Sequence, residues 1–240
     1  MQKSDTGSSN EKREYVQALF VKIAPRYDFM NWLLSLGRDQ AWRRKAIRNA
    51  RFQSGSKILD LGIGTGDMAL EVFRQVDGSR VIGLDNCVQL LALGRDKPEL
   101  RNRKSSFQAV LGNGGSLPFQ TNTFDGVVAG FSIRNVPDPQ RAFREISRVL
   151  RPGGRIVILD MVEPQTFFFN RLFRFYFKFI IPLLGRVFGS DPEAYVYLLH
   201  SIENFYTSET LRVALQTTGF AIQFSRDMMF GTVTICIGKK

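Results

Sequence analysis

Cysteine, histidine and tryptophan are scarce, with two, one and two copies in 240 residues. Cys87 and Cys236 have no metal-type spacing, which excludes a disulfide framework and points to a reducing compartment. The single histidine, His200, lies far from every motif in the chain and reads as a structural or interfacial residue. No run is long and uncharged enough to make a membrane span. The start, Met1 to Asn10, has no apolar core, so no signal peptide is expected. Acids are also short against bases, 22 against 33, which gives a formal charge of +11 and a pI near 10.0. That balance suits nucleic acid, an anionic lipid surface or plain solubility. The hydrophobic content is ordinary and the length suits one well-cored domain with an appended lid. Phenylalanine is in excess, and many copies crowd into residues 167–188.

The most informative stretch is Ile58-Leu59-Asp60-Leu61-Gly62-Ile63-Gly64-Thr65-Gly66-Asp67. It reads as a short buried strand, a glycine turn and a helix with Met68, Ala69, Leu70, Val72 and Phe73 on its apolar face. Glycines let the backbone turn sharply and keep side chains out of a ligand's way. The new helix turns its free N–H groups and positive dipole end into the same space. The product is a nucleotide-type pocket at the carboxyl edge of a sheet. A dinucleotide fingerprint needs its third glycine one position later, where Asp67 stands, and no Lys-Ser or Lys-Thr follows as in a P-loop. A carboxylate there suits a cationic or amine-bearing ligand. S-adenosylmethionine fits, having an amino acid end, a sulfonium and a ribose but no phosphate. Asp60, Gly62, Gly64, Thr65, Gly66 and Asp67 are the candidate cofactor residues of this turn. The plain alternative is a tight turn in an α/β sheet.

Residues 1–13 read as a disordered tail and 14–240 as a single domain. Residues 14–50 form a helical cap: Val16, Leu19, Phe20 and Ile23 fall at core spacing, Pro25 ends that run, and a helix from Asp39 carries Trp42 and Ile47. Arg80 to Asp85 is a second strand whose terminal acid, Asp85, can accept from both ribose hydroxyls; its alternative is a helix cap. Phe107 to Leu111 is the third, followed by Gly112-Asn113-Gly114-Gly115, where Asn113 and Gly114 can lie against an adenine. Phe124 to Phe131 and Arg155 to Met161 are strands four and five. Between them come a helix from Asp138 to Leu150 and an Arg151-Pro152-Gly153-Gly154 turn. Residues 163–205 are a Phe-rich helical insertion or lid. A helix from Thr207 to Thr218 precedes a closing hairpin, Ala221 to Arg226 and Met229 to Ile237, that turns around Asp227. The alternation predicts an α/β, Rossmann-like fold with a mostly parallel seven-stranded sheet, a terminal antiparallel hairpin and helices on both faces.

Several motifs converge on a known family. They are Tyr27-Asp28-Phe29-Met30-Asn31 with Ser35 and Trp42, then Leu61 to Asp67, Leu117-Pro118-Phe119 and Thr123-Phe124-Asp125. Gly130-Phe131-Ser132-Ile133-Arg134-Asn135-Val136 and Arg148-Val149-Leu150-Arg151-Pro152-Gly153-Gly154 complete the set. Together they resemble class I S-adenosylmethionine-dependent methyltransferases and, more narrowly, the ubiquinone/menaquinone biosynthesis C-methyltransferases, from about Tyr15 to Lys240. The chain departs from that pattern at four places. Asp39 stands where His is usual, Asn113-Gly114-Gly115 replaces an Asn-Ala-Glu type sequence, Val162 falls where Ser or Ala is usual, and Gly130 occupies a place that is Ser in part of the family. Tyr176-Phe177-Lys178 and Ile181-Pro182-Leu183-Leu184-Gly185 look more like the demethylmenaquinone branch. The resemblance implies S-adenosyl-L-methionine as cofactor and C-methylation of a prenylated quinol ring. Demethylmenaquinol is the expected acceptor, with the corresponding ubiquinone precursor as the alternative. It also implies that Arg134 and Asn135 contact the ring, while Tyr27 and Asp28 line the pocket from the cap or serve capping and packing.

Methyl transfer is an in-line displacement, so alignment of the reactants contributes ~7–11 kcal/mol. A quinol ring carbon becomes a good nucleophile when its hydroxyl loses a proton, which calls for a proton acceptor or a group that stabilises the quinolate. Arginine keeps its proton, so Arg134 takes the second role, with an ordered water as the immediate acceptor. The competing reading of Arg134 is an ion pair that fixes its loop, and Asp160 and Glu163 are weaker candidates. A nucleic-acid methyltransferase would carry an Asp/Asn-Pro-Pro-aromatic run after strand four or a Pro-Cys nucleophile. The chain has neither, so no nucleic-acid partner is expected. A scaffold that has lost its chemistry is opposed by the intact Gly62, Gly64, Gly66, Asp67 and Asp85. At helical spacing Arg171, Arg174 and Lys178 share one face, with Leu172, Phe175 and Phe179 on others. That suits peripheral contact with an anionic membrane surface, at the inner face of the cytoplasmic membrane of an otherwise cytoplasmic protein. The same aromatics could instead pack over the sheet as a lid.

Overall fold

Short runs rich in Val, Ile and Leu form seven strands: β1 (Lys57–Leu61), β2 (Arg80–Asp85), β3 (Phe107–Leu111), β4 (Phe124–Gly130), β5 (Leu150–Met161), β6 (Ala221–Met228) and β7 (Val233–Lys239). The computed structural model describes residues 6–24, 27–165, 171, 175 and 192–240. The strands make one sheet in the order β3-β2-β1-β4-β5-β7-β6. Neighbours among β1 to β5 pair in parallel, and β7 runs antiparallel to both β5 and β6. This is the sheet the alternating pattern predicts. The order reverses between β1 and β4, and there the carboxyl ends of the strands open a crevice.

Both faces of the sheet are covered, so successive strand residues feed opposite cores. Ile58 and Val128 pack with Trp42 and Ile47 of α3 (Asp39–Ala50) and Met68 and Val72 of α4 (Asp67–Gln75). Leu59 and Val127 pack on the other face, with Phe143 and Ile146 of α7 (Pro139–Val149) and Leu211 and Leu215 of α9 (Ser208–Thr217). Two short helices, α5 (Val88–Asp96) and α6 (Pro98–Arg101), fill the connection from β2 to β3. The cap is α1 (Thr6–Ile23) and α2 (Tyr27–Leu34). Leu19 and Met30 from these helices pack against Leu198 and Ile202 of α8 (Pro192–Glu203). Phe20 and Ala24 at the end of α1 rest on Cys87 and Leu90. The cap therefore sits over the carboxyl edge of the sheet.

Three details differ from the sequence reading. Helix α1 starts at Thr6, inside the stretch expected to be a disordered tail. Its first turns are polar, and polar residues on a helix cost only tenths of a kcal/mol each. Strand β5 starts at Leu150 and runs through the Arg-Pro-Gly-Gly segment expected to be a turn. Leu150 pairs with Phe124 and Arg155 with Gly126, so the surplus residues bulge out where the register shifts. The last hairpin turns at Met229–Gly231 and not at Asp227. Asp227 stays in the ladder opposite Thr234 and accepts the Ser208 hydroxyl at 2.6 Å. Of residues 167–188 only Arg171 and Phe175 belong to the described residues, both exposed. The basic stripe with Arg174 and Lys178, and its neighbours Leu172 and Phe179, lie outside them.

Candidate active site

At the end of β1 the chain must leave the sheet within one residue. Gly62 does so at φ +69°, and a Cβ there would lie 2.3 Å from the Ser132 Cβ, so only glycine passes the exit of β4. The Gly62 and Ile63 N–H groups donate to the Leu84 carbonyl at 2.7 and 3.1 Å. The Gly64 N–H donates to Asp85 Oδ2 at 2.8 Å, and the Cys87 N–H donates to Asp85 Oδ1 at 2.9 Å. The Asp85 carboxylate is thus anchored by an amide at each oxygen, and the Asn86 amide also favours its charge. Burial raises its pKa, and the Cys87 and Gly64 amides oppose that rise. It lines a cleft of about 700 Å³, counting the open mouth, together with Gly62, Gly64, Asn113, Gly114 and Asn135. Val16 and Phe20 of α1 close the cleft from above. Asn113 Oδ1 accepts the Gly115 N–H at 2.9 Å, which folds that loop against the wall.

The other expected cofactor residues lie behind this wall. Asp60 is 1% exposed, and neither of its carboxylate oxygens has a hydrogen-bond partner. Burial pushes its pKa up to about 7; the nearby Ala69 amide and the Arg43 charge counter only part of that. Gly66, at φ +89°, is the N-cap of α4. Asp67 meets Lys97 Nζ at 2.9 Å and Arg43 Nη2 at 3.7 Å. Burial works against the Asp67 charge, yet Arg43 and Lys97 prevail and hold its carboxyl below the usual range. The cation that the sequence assigned to a ligand at Asp67 is therefore supplied by the chain itself. Thr65 donates its hydroxyl to Asp28 Oδ1 at 2.6 Å, and Lys97 also pairs with Asp28 Oδ2 at 2.8 Å. Asp28 thus ties the cap to the glycine turn, away from Asn135. Tyr27 opens α2, and its side chain lies outside the described residues.

The exit of β4 is braced by a left-handed residue. Phe131 has φ +60°, an uncommon conformation for a side chain of that size. Its carbonyl accepts from Arg134 Nη1 at 2.8 Å and Asn135 Nδ2 at 3.4 Å. Ser132 Oγ donates to the Leu61 carbonyl at 2.6 Å, which stitches this exit to β1. Arg134 Nη1 pairs with Asp160 Oδ1 at 2.5 Å, and both side chains are buried. Arg134 is thus held as a loop-fixing ion pair, and the cleft wall takes Asn135 instead. Sequence reasoning missed Arg43, Lys97 and Tyr197. Arg43 is buried, lies 5.2 Å from the centre of the Phe131 ring and has an unpartnered Nε. Tyr197 on α8 donates its hydroxyl to Asn135 Oδ1 at 3.0 Å. The family motif marks the Asn135 end of that contact, but no local pattern marks Tyr197. His200 stands exposed on the same helix.

The donor set fits S-adenosylmethionine. Asp85 offers acceptor oxygens for a vicinal diol, and among the described residues that line the cleft there is no Lys or Arg for a phosphate. Comparison with known proteins agrees. The model of the ubiE/COQ5 methyltransferase family matches residues 7–240. The chain is 40% identical to a ubiquinone/menaquinone biosynthesis C-methyltransferase of Geobacter sulfurreducens, over 96% of this chain and 90% of the relative. It is 37% identical to a demethylmenaquinone methyltransferase of Thermus thermophilus, over 92% of this chain and all of the relative. Among solved structures, a SAM-dependent methyltransferase from Thermotoga maritima shares the fold at TM-score 0.65 and 17% identity, covering 93% of this chain and 99% of that one.

Two measurements check the site. Asp85→Ala should weaken S-adenosylmethionine binding at least ~10-fold, since hydrogen bonds to a charged group contribute ~1.5–3 kcal/mol. Calorimetry with an unchanged dissociation constant would remove Asp85 from the site. The second concerns Asp60. Its folded pKa of about 7 lies above the unfolded value near ~3.9, so the folded state holds the extra proton between them. The stability Asp60 contributes is complete below the unfolded value and is lost as pH rises through about 7. In cofactor-free protein, the unfolding free energy of wild type minus that of Asp60→Asn should fall by roughly 4 kcal/mol from pH 4 to pH 8. A difference that does not change with pH in urea titrations would mean that Asp60 stays ionised.

Proposed function

This chain belongs to the ubiE/COQ5 methyltransferase family and is an S-adenosylmethionine-dependent methyltransferase, and on that premise we propose that it methylates a ring carbon of a prenylated quinol, demethylmenaquinol. The observation that carries this reading is the full-length match to relatives named for demethylmenaquinone methylation. A second reading, the corresponding carbon of a ubiquinone precursor, is favoured by the wider name of the Geobacter sulfurreducens relative.

When bound, S-adenosylmethionine supplies an electrophilic methyl group on its sulfonium. Asp85 holds the ribose diol, and Gly62, Gly64 and Gly114 leave room for the adenosyl body along the wall. Asn113 offers its amide to the adenine. Asn135, on the same wall, donates to an oxygen of the quinol ring and aligns it. Arg134 keeps the Asn135 turn in place through its ion pair with Asp160. The cap residues Val16 and Phe20 exclude water from the cleft.

The acceptor is a lipid, and the surface suits a lipid interface. Among the described residues no helix is long and apolar enough to cross a membrane. Helix α2 and its C-terminal turn expose Phe29, Trp32 and Leu36, with the Phe29 and Trp32 rings stacked at 6.1 Å. We place this face, helped by the net charge of +11, against the anionic inner surface of the cytoplasmic membrane.

Cells lacking the protein should accumulate demethylmenaquinone and lose menaquinone. Accumulation of the ubiquinone precursor alone would shift the assignment to the second reading, and an unchanged quinone profile would overturn both. Purified protein should float with phosphatidylglycerol vesicles at low salt, and Trp32→Ser with Leu36→Ser should release it at least ~5-fold. No flotation of the wild type would discard the membrane face.

A further inference from the structure

The hydroxyl of Tyr197 is the group through which α8 reaches the cleft. The Phe131 carbonyl can only accept, so the end of the Asn135 side chain that faces it at 3.4 Å is the amide nitrogen. The other end, Oδ1, then faces Tyr197, whose hydroxyl donates to it at 3.0 Å. The two contacts fix the flip of the carboxamide from opposite ends. One N–H of Asn135 goes to the Phe131 carbonyl and the second is left for the cleft that Asn135 lines. The Phe131 contact alone is long, so the phenol carries much of this orientation. Tyr197 itself packs against the small core that joins α1, α2 and α8, which gives it a fixed base.

We propose that Tyr197 is a positioning residue for methyl transfer: it holds the Asn135 carboxamide with an N–H turned toward an oxygen of the acceptor. This rests on the reading that the acceptor is a ring bearing such an oxygen. A flipped amide would present its carbonyl and repel the same oxygen, and without the phenol only the long Phe131 contact opposes that flip.

Tyr197→Phe removes the hydroxyl and keeps the ring. With a short-tailed demethylmenaquinol, its kcat should fall about 10-fold, as loss of one neutral hydrogen bond implies, while the S-adenosylmethionine Kd stays within about twofold of wild type. Asn135→Ala should be slower still, and adding Tyr197→Phe to it should cost nothing more, because the phenol acts only through that amide. Losses that add, or an unchanged kcat in Tyr197→Phe, would overturn the proposal. The side-chain amide NMR signals of Asn135, assigned by their disappearance in Asn135→Ala, read the positioning without any acceptor. They should be sharp in wild type and should shift and broaden in Tyr197→Phe. If that holds while the wild type methylates no quinol, the substrate reading falls and the positioning stands. Signals indifferent to Tyr197→Phe would overturn the positioning whatever the acceptor is.

Discussion

Three carboxylates, Asp60, Asp67 and Asp85, converge on the glycine turn, and the cost of burying them governs what surrounds it. Charges taken out of water must be paired, hydrogen-bonded or neutralised. Each acid takes a different course. Asp85 draws on the amides of Gly64 and Cys87, which also ties the turn to the end of β2. Asp67 draws on Lys97 and Arg43, which brings α3 and the α5–α6 junction to the start of α4. Asp60 has no hydrogen-bond partner, and its carboxyl is half protonated near neutrality. The outcome is that Lys97 and Arg43 compensate Asp67, burial keeps a proton on Asp60 up to about pH 7, and Asp85 alone of the three faces the cleft. A carboxylate at that wall suits a ligand that brings hydroxyl donors and repels one that brings a phosphate.

The opposite side of the cleft is organised by a second buried pair, Arg134 and Asp160. Asp160 ends β5 and Arg134 follows β4, so the pair links two neighbouring strands just where they leave the sheet. Removing one partner of such a pair leaves an uncompensated buried charge, which costs ~3–5 kcal/mol. The left-handed Phe131 is over-determined by the same contacts, since its carbonyl accepts from both Arg134 and Asn135. Backbone strain at the mouth of a site persists only where its surroundings hold it in this way.

The strands were legible because each is a short Val/Ile/Leu run whose period and flanking turns are local properties. β2 and β3 match residue for residue. Local reasoning failed where pairing decides. The Arg-Pro-Gly-Gly segment has turn chemistry, yet a bulge absorbs it into β5. Asp227 looks like a turn residue, yet Ser208 on α9 keeps it in the ladder. In the site, Gly62, Gly64, Asp85, Asn113 and Gly114 were legible from motif spacing, and all reach the wall. Lys97 and Tyr197 were not, because their partners are remote in sequence; Arg43 pairs locally with Asp39 at 2.7 Å, and nothing local shows that it also reaches Asp67. Asp28 and Asp67 were recognised as important, but the cation between them is Lys97.

The two charge networks differ in how readily they open. The Arg134–Asp160 side chains are 9% and 0% exposed, so solvent barely screens them. Lys97 and Asp28, which fasten the cap to the turn, are 23% and 49% exposed. A pair that wet contributes at most about 1 kcal/mol and weakens with salt. The cap is also held by the Thr65 hydroxyl on Asp28 and by small clusters, Leu19 and Met30 with Leu198 and Ile202, and Phe20 and Ala24 with Cys87 and Leu90. Val16 and Phe20 roof the cleft, so a ligand that reaches Asp85 from above must displace α1. Of the two charge networks, the weaker is the one at the cap. The contrast between the two follows from one rule, that a buried ion pair resists separation and an exposed one does not.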